Sequence, residues 1–227
     1  MWTREEFEQR VRALLEERYH HRHPFHRRMH EGKLSVRQLR GWIANRFYYQ
    51  EQIPVKDALL LAKMPWEYRR LWIRRIIDHD GAGSGEGGIE AWLRLGEAAG
   101  LTREELLRHV HLVPGARFAV DAYVNFVREH SWVEGVASSL TELVAPHLHT
   151  LRLDLFPRHY PWVRSEGLEY FRTRLQQAPR DAQEALGIVY AHSPTPEAQR
   201  RALQAVEVKC EVLWAFLDAV SLAYPDG

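Results

Sequence analysis

Several segments of the chain repeat one chemical device: a cation set three or four residues from a hydrogen-bonding or proton-exchanging side chain. Arg46 is so placed with Tyr49 and Gln50, Arg75 with His79, His149 with Arg152, and Tyr170 with Arg174. On a helix such spacings put both side chains on one face. Tyr123 falls on the stripe Ala119, Phe126, Val127; Lys209 falls beside Val206 and Leu213; Tyr19 and His20 follow the first helical stretch. Arginine keeps its charge and grips carboxylates through a planar fork, while histidine titrates near neutrality. If these faces converge, they form a pocket of cations interleaved with histidines and tyrosines. Such a pocket suits a small ligand bearing several carboxylates, with groups at hand to move protons on and off it. Each member also has an ordinary reading. A tyrosine on an apolar stripe is commonly core with a satisfied hydroxyl, Lys209 can snorkel, Arg75 can be solvated beside Arg74, and one of His147 and His149 can face water. Only convergence of several faces decides between the two readings.

The stretch Gly41–Leu61 must position much of this chemistry. It reads as helix but carries Trp42, Phe47, Tyr48, Tyr49, Ile53 and Leu60 on more than one side. A helix apolar nearly all round is a buried one. Arg46, Gln50, Ile53 and Asp57 share a face, so a buried arginine there must meet either an anionic ligand or a buried carboxylate. Pro54 removes one backbone donor mid-helix, and a kink is expected there.

Composition sets limits. The chain has 227 residues, 45% hydrophobic and 27% charged, with net charge +1. That balance gives no global field for nucleic acid or membrane surfaces. A single cysteine, Cys210, excludes an internal disulfide and cysteine zinc clusters. No apolar run reaches the roughly 18 residues of a membrane span, and the charged, helical N-terminus is not a signal peptide. A cytoplasmic protein is expected. Thirteen histidines invite a metal test. Glu-x-x-His and His-Glu-x-x-His are absent. Glu142 and His149 stand seven apart, two turns along one expected helical face, and leave a mononuclear site open. Glu105 and His109 read as a solvated pair. Gly83, Gly85 and Gly88 spell the glycine fingerprint of a dinucleotide site, but a helix instead of a strand precedes them, so that reading is rejected.

Helix signals dominate throughout. Capping boxes are expected at Thr3–Glu6, Ser35–Gln38 and Thr102–Glu105. Helices are expected over residues 3–18, up to Gly32, from Ser35, from Pro65, over Ile89–Gly100, and after Thr102. Further helices are expected at Pro114–His130, Trp132–Phe156 with an interruption at Pro146, Trp162–Gln177, Pro179–His192 and Pro196–Ala223. The last has Thr195 as N-cap and a core stripe of Leu203, Val206, Cys210, Leu213, Leu217 and Val220. Cys210 inside that stripe reads as an inert thiol. With no repeat and no linker, residues 1–227 are expected to form one all-α domain.

The segments YHHRHPFH, GWIANRFYYQEQIPVKDA, RRIIDHDG, GGIEAWLRLGEAAGL, PGARFAVDAYVNF, SSLTELVAPHLH, HYPW and YFRTRL, in that order, resemble the pyrroloquinoline-quinone synthase family from about Phe7 to Tyr224. The resemblance implies a compact helical bundle like heme oxygenase and the TenA thiaminases, assembled as a homodimer. It implies the last step of pyrroloquinoline quinone formation: ring closure and successive oxidations of a bicyclic polycarboxylate. Dioxygen would be the co-substrate, hydrogen peroxide the by-product, and no metal or organic cofactor would take part. On this resemblance Tyr19, Arg46, Gln50, Lys56, Arg75, Thr141, Glu142, Arg152 and Lys209 would bind substrate. His79, Tyr170 and Arg174 would surround the oxygen site, and His20, His149 and Tyr123 would complete the catalytic group. Some relatives run further at the C-terminus; if their tails cover the site, closure here is expected to come from elsewhere. Three competing readings stand beside this one. They are a metal-dependent oxygenase using Glu142 and His149, a non-catalytic quinone carrier, and a TenA-like hydrolase, which would need Cys210 as nucleophile.

Overall fold

The computed structural model of the chain describes residues 1–225; Asp226 and Gly227 lie outside them. Among the described residues every regular element is helical. Eleven α-helices run in the order α1 (Arg4–Arg18), α2 (Pro24–His30), α3 (Val36–Lys63), α4 (Trp66–Asp80), α5 (Gly87–Ala98), α6 (Arg103–Leu107), α7 (Pro114–Glu129), α8 (Trp132–Ala137), α9 (Ala145–His159), α10 (Glu169–Ala191) and α11 (Pro196–Ala223). Three 3-10 turns interrupt them at His20–Arg22, Ser138–Leu143 and Ser165–Leu168.

Local sequence chemistry starts these helices where expected. Thr3, Ser35 and Thr102 each accept from the third residue of their helix, whose side chain returns the bond, and Ser131 with Glu134 adds a fourth capping box ahead of α8. Thr195 caps α11, with Pro196 in its first turn. Gly81 ends α4 at φ +88°, where a Cβ would fall 2.6 Å from the Glu86 carbonyl oxygen. Only glycine fits that close turn.

Two boundaries differ from expectation. Helix α10 runs unbroken through Pro179, so the expected helices over Trp162–Gln177 and Pro179–His192 are largely one, beginning at Glu169. Packing against α5, α8 and α9 holds the segment together where one backbone bond is missing. The expected Trp132–Phe156 helix is instead α8, the 3-10 turn and α9, the last opening at Ala145 with Pro146 in its first turn. Helix α3 continues through Pro54 to Lys63, the expected long helix with an internal proline.

Helix α3 lies against α4, α5 and α7; α11 covers α7, α8 and α1; α10 covers α9, α5 and the Ser138–Leu143 turn. Trp42, Ile43, Phe47 and Leu60 of α3 are buried to within 1%, so the helix is apolar on several sides because several helices surround it. Burial of that kind contributes about 2 kcal/mol per large side chain. Polar clamps fix the packing. Asn45 donates to the carbonyls of Gly41 (2.8 Å) and His111 (3.0 Å) and accepts from the Val113 amide (2.9 Å), which ties the approach to α7 onto α3. The Trp92 indole of α5 donates to the Ile43 carbonyl at 2.9 Å.

Candidate active site

One cavity runs through the middle of the bundle, with about 720 Å³ of space free of protein atoms, part of it open to solvent. Seven of the eleven helices and two of the three 3-10 turns contribute to its wall. Tyr19 and His20 come from the end of α1 and the turn that follows. Helix α3 supplies Arg46, Gln50 and Lys56 from one stripe, and α4 supplies His79. Tyr123 comes from α7, and Thr141 and Glu142 from the Ser138–Leu143 turn. His149 and Arg152 come from α9, Tyr170 and Arg174 from α10, and Lys209 from α11. Thus fourteen of the fifteen residues singled out in the sequence line a single space.

Arg75 is the exception. It is 2% exposed and stands one layer behind the wall. Its guanidinium forks onto Glu142, with Nη1 to Oε2 at 3.1 Å and Nη2 to Oε1, and lies 3.5 Å from Asp181 and 3.8 Å from Asp57. Its role is therefore to hold carboxylates in place. Burial penalises the Glu142 charge, but Arg75 and Arg174 outweigh that and hold its carboxyl at about 2. Glu142 sits in the 3-10 turn, not on α9, so the expected two-turn spacing with His149 along one helical face does not hold. Among the described residues no group of three or more His, Cys, Asp or Glu is placed to hold a metal ion. Glu105 also differs from its reading as a partner of His109: it accepts from Thr102 and faces His111 at 3.2 Å, while His109 faces Glu51.

The cations divide into two sets. Lys56 lies 2.6 Å from Asp57 and donates to Ser139 at 3.0 Å. Arg174 reaches Glu142 at 3.4 Å and Asp181 at 3.3 Å. Arg46, Arg152 and Lys209, by contrast, have no carboxylate partner among the described residues. Lys209, 2% exposed, lies 3.2 Å from the ring centre of Tyr123 and 4.3 Å from that of Tyr49, and donates to the Tyr49 hydroxyl. Those two rings are parallel, 6.4 Å apart, so the ammonium is held between their faces. Burial, then Arg46 and Lys56, drive its pKa far down. Arg46 stacks over Tyr49 at 3.7 Å. Arg152 lies over Trp42 at 5.2 Å, with Nε and one Nη buried and unpartnered; burial and Arg46 lower even its pKa to about 10. Two buried basic groups and the half-buried Arg46, none with a carboxylate partner among the described residues, are costly to charge unless something anionic arrives.

The histidines are held neutral. Burial, then Arg174, lower His79 to about 4, and its Nδ1–H donates to the Arg75 carbonyl at 3.0 Å, leaving Nε2 as the acceptor. Burial, reinforced by nearby arginines, also depresses His20 and His149 well below the usual range. The Tyr170 hydroxyl donates to Gln50 Oε1 at 3.0 Å. Tyr123 donates to Ser138, whose hydroxyl in turn donates to the Gly135 carbonyl. Burial raises the phenols of Tyr19, Tyr49 and Tyr123. The arrangement offers neutral imidazole bases and phenol donors beside a strongly positive floor.

The sequence profile of the TENA/THI-4/PQQC family matches residues 8–219. The chain belongs to the TENA/THI-4/PQQC family. Within that family it is 57% identical to the pyrroloquinoline-quinone synthase of Pseudomonas aeruginosa over 224 residues, 97% of this chain and 88% of the relative. It is 52% identical to the enzyme of the same name from Cronobacter sakazakii over 223 residues, 98% and 88% of the two chains. Two solved structures share the fold at low identity. A TenA homolog from Pseudomonas syringae has TM-score 0.78 at 16% identity, over 97% of this chain and 96% of that one. A domain with a heme oxygenase-like fold from Shewanella denitrificans has TM-score 0.76 at 15% identity, over 99% and 94%. The all-α, heme oxygenase-like bundle is thus as expected. In this TENA/THI-4/PQQC member Cys210 is 1% exposed and absent from the cavity wall, and burial pushes its thiol up to about 12. That is the state of an inert core thiol.

Sequence reasoning missed Trp92, Ser139 and Leu148 in the wall, and Asp181 behind it. Asp57 was visible as a member of the Arg46 stripe. Asp181 carried no signal, because its partners come from α4 and from its own helix.

Proposed function

We propose that the chain is a pyrroloquinoline-quinone synthase, an oxidoreductase that closes the last ring of a bicyclic polycarboxylate and oxidises it with dioxygen. The observation that carries this reading is the trio Arg46, Arg152 and Lys209, the first half-buried and the others buried, lining one cavity with no carboxylate partner among the described residues. A substrate with several carboxylates supplies the missing charges. Tyr19, Gln50, Lys56, Thr141 and Glu142 complete the binding wall, with Arg75 fixing Glu142 from behind.

Ring closure adds the substrate amine to a quinone carbon: a C–N bond forms, and a proton leaves nitrogen for the quinone oxygen. Neutral His20 and His149, with Tyr123, carry that proton. In each oxidation the reduced ring loses two electrons and two protons, and one dioxygen takes both and leaves as hydrogen peroxide. His79, Tyr170 and Arg174 surround the oxygen. The Arg174 charge stabilises superoxide or peroxide as it develops. The electron-rich substrate itself reduces oxygen, so neither metal nor organic cofactor takes part. Residues 1–227 act as one unit in the cytoplasm, as a homodimer, without nucleic acid or membrane partners.

The test is to mix chelator-treated protein with the reduced precursor anaerobically and then admit oxygen. The expected result is a quinone chromophore and peroxide, formed faster than without protein. A rate equal to the uncatalysed one marks a carrier. Activity that returns only with added iron or manganese marks a metal-dependent oxygenase. Either result contradicts the proposal.

A further inference from the structure

A second hollow abuts the cavity from outside. It is lined by the loop and helix start that carry Gly85, Gly87 and Gly88, by Ala91 of α5, and by Tyr170 and Thr173 of α10. The two spaces share Tyr170 and Arg174 as a common wall. His79 closes the inner side and Gly88 the outer. A Cβ built on Gly88 would lie 3.3 Å from the His79 ring and 3.5 Å from the Tyr170 ring. A side-chain carbon here would crowd the His79 ring, so glycine leaves a narrow gap between the two rings, a notch slightly tighter than a methyl group. Gly88 has no positive φ to account for its identity; the backbone at this position accepts any residue, and only the notch distinguishes glycine.

This geometry meets a need of the proposed reaction, on which the inference rests. A polycarboxylate seated on Arg46, Arg152 and Lys209 fills the cavity while several oxygen molecules must enter in turn. The cation-lined approach is then occupied by substrate. We infer that dioxygen reaches the site by a separate route, from the outer hollow past Thr173 and through the Gly88 notch between His79 and Tyr170. A neutral diatomic needs no charged guide and passes an opening that excludes the substrate. The notch delivers it beside the imidazole Nε2 and the phenol. Small residues along the route, Ala82, Gly85, Gly87, Gly88 and Ala91, keep it from filling with side chain.

The test is the dependence of initial rate on dissolved oxygen, with enzyme preloaded anaerobically with precursor. Gly88→Ala and Gly88→Val plug the notch in two steps. Thr173→Trp plugs the half-buried outer hollow without touching the inner cavity. The expected result is a fall in kcat/KM for oxygen of about threefold in Gly88→Ala and about tenfold or more in the other two. Raising oxygen should restore the rate, and the anaerobic Kd for precursor should change less than about twofold. Unchanged kcat/KM for oxygen in both Gly88→Val and Thr173→Trp overturns the route. So does a loss that oxygen does not restore. In either case wild-type turnover in the same series leaves the assignment as an oxygen-using synthase standing. A wild type that consumes no oxygen removes that assignment and the route together.

Discussion

At the scale of single residues the site is defined by which charges lack partners. Glu142, Asp57 and Asp181 neutralise Arg75, Arg174 and Lys56; Arg46, Arg152 and Lys209 are left over. Replacing Arg46 with Ala should weaken anaerobic binding of the quinone product by about 2 kcal/mol, roughly thirtyfold in Kd. His79→Asn and Tyr170→Phe should bind it nearly as the parent does and lose mainly the oxygen-dependent rate. Equilibrium titration and stopped-flow oxidation separate the two effects. A fall in affinity in His79→Asn equal to that in Arg46→Ala would mean the two residues do not divide the work in this way. The residue types were legible in the sequence because arginine, histidine and tyrosine at helical spacing are expensive to bury without cause. Their order in depth was not. Arg75 looks like Arg174 in one dimension, and only the positions of Asp57 and Asp181 show that it stands behind the wall.

At the scale of elements, glycines reveal where helices touch most closely. A Cβ on Gly167 would lie 2.4 Å from that of Ala98 and 3.2 Å from the Leu95 Cα, so the Ser165–Leu168 turn rests directly on α5. Gly187, within α10, has nothing within 4 Å of its Cβ position. Gly167→Ala should therefore cost about 1–3 kcal/mol by forcing backbone apart, and Gly187→Ala should stabilise by about 0.5–1 kcal/mol through helix propensity. Thermal melts of the two variants check both signs. The same contrast explains what sequence could reveal about elements. Capping boxes at Thr3, Ser35 and Thr102 are local and were readable. The unbroken passage of α10 through Pro179 was not, since neighbouring helices override a local breaker. The interruption expected at Pro146 falls a few residues earlier, in the Ser138–Leu143 turn that carries Thr141 and Glu142 to the cavity, and Pro146 instead sits in the first turn of α9.

At the scale of the whole molecule the buried histidines make stability depend on pH. Burial lowers His20, His26 and His149 well below 6.5, His79 to about 4 and His30 to about 3. Between pH 6.5 and 4 the unfolded chain binds protons at these sites and the native chain does not, so stability falls as pH falls. For His79 alone the full loss is about 3 kcal/mol. The melting temperature should drop steadily from pH 7 to pH 5, and a flat profile would mean these rings charge freely in the native state. The same interior should respond to its guest. Burial, then Arg46 and Lys56, push the Lys209 pKa down, and a carboxylate arriving beside it should raise that pKa and favour proton uptake. The most direct measurement is calorimetric titration with the quinone product at pH 8 in buffers of different ionisation heat. The account predicts binding with net proton uptake that Lys209→Met weakens; no binding of the polycarboxylate at all, or binding that Lys209→Met leaves unchanged, would contradict it.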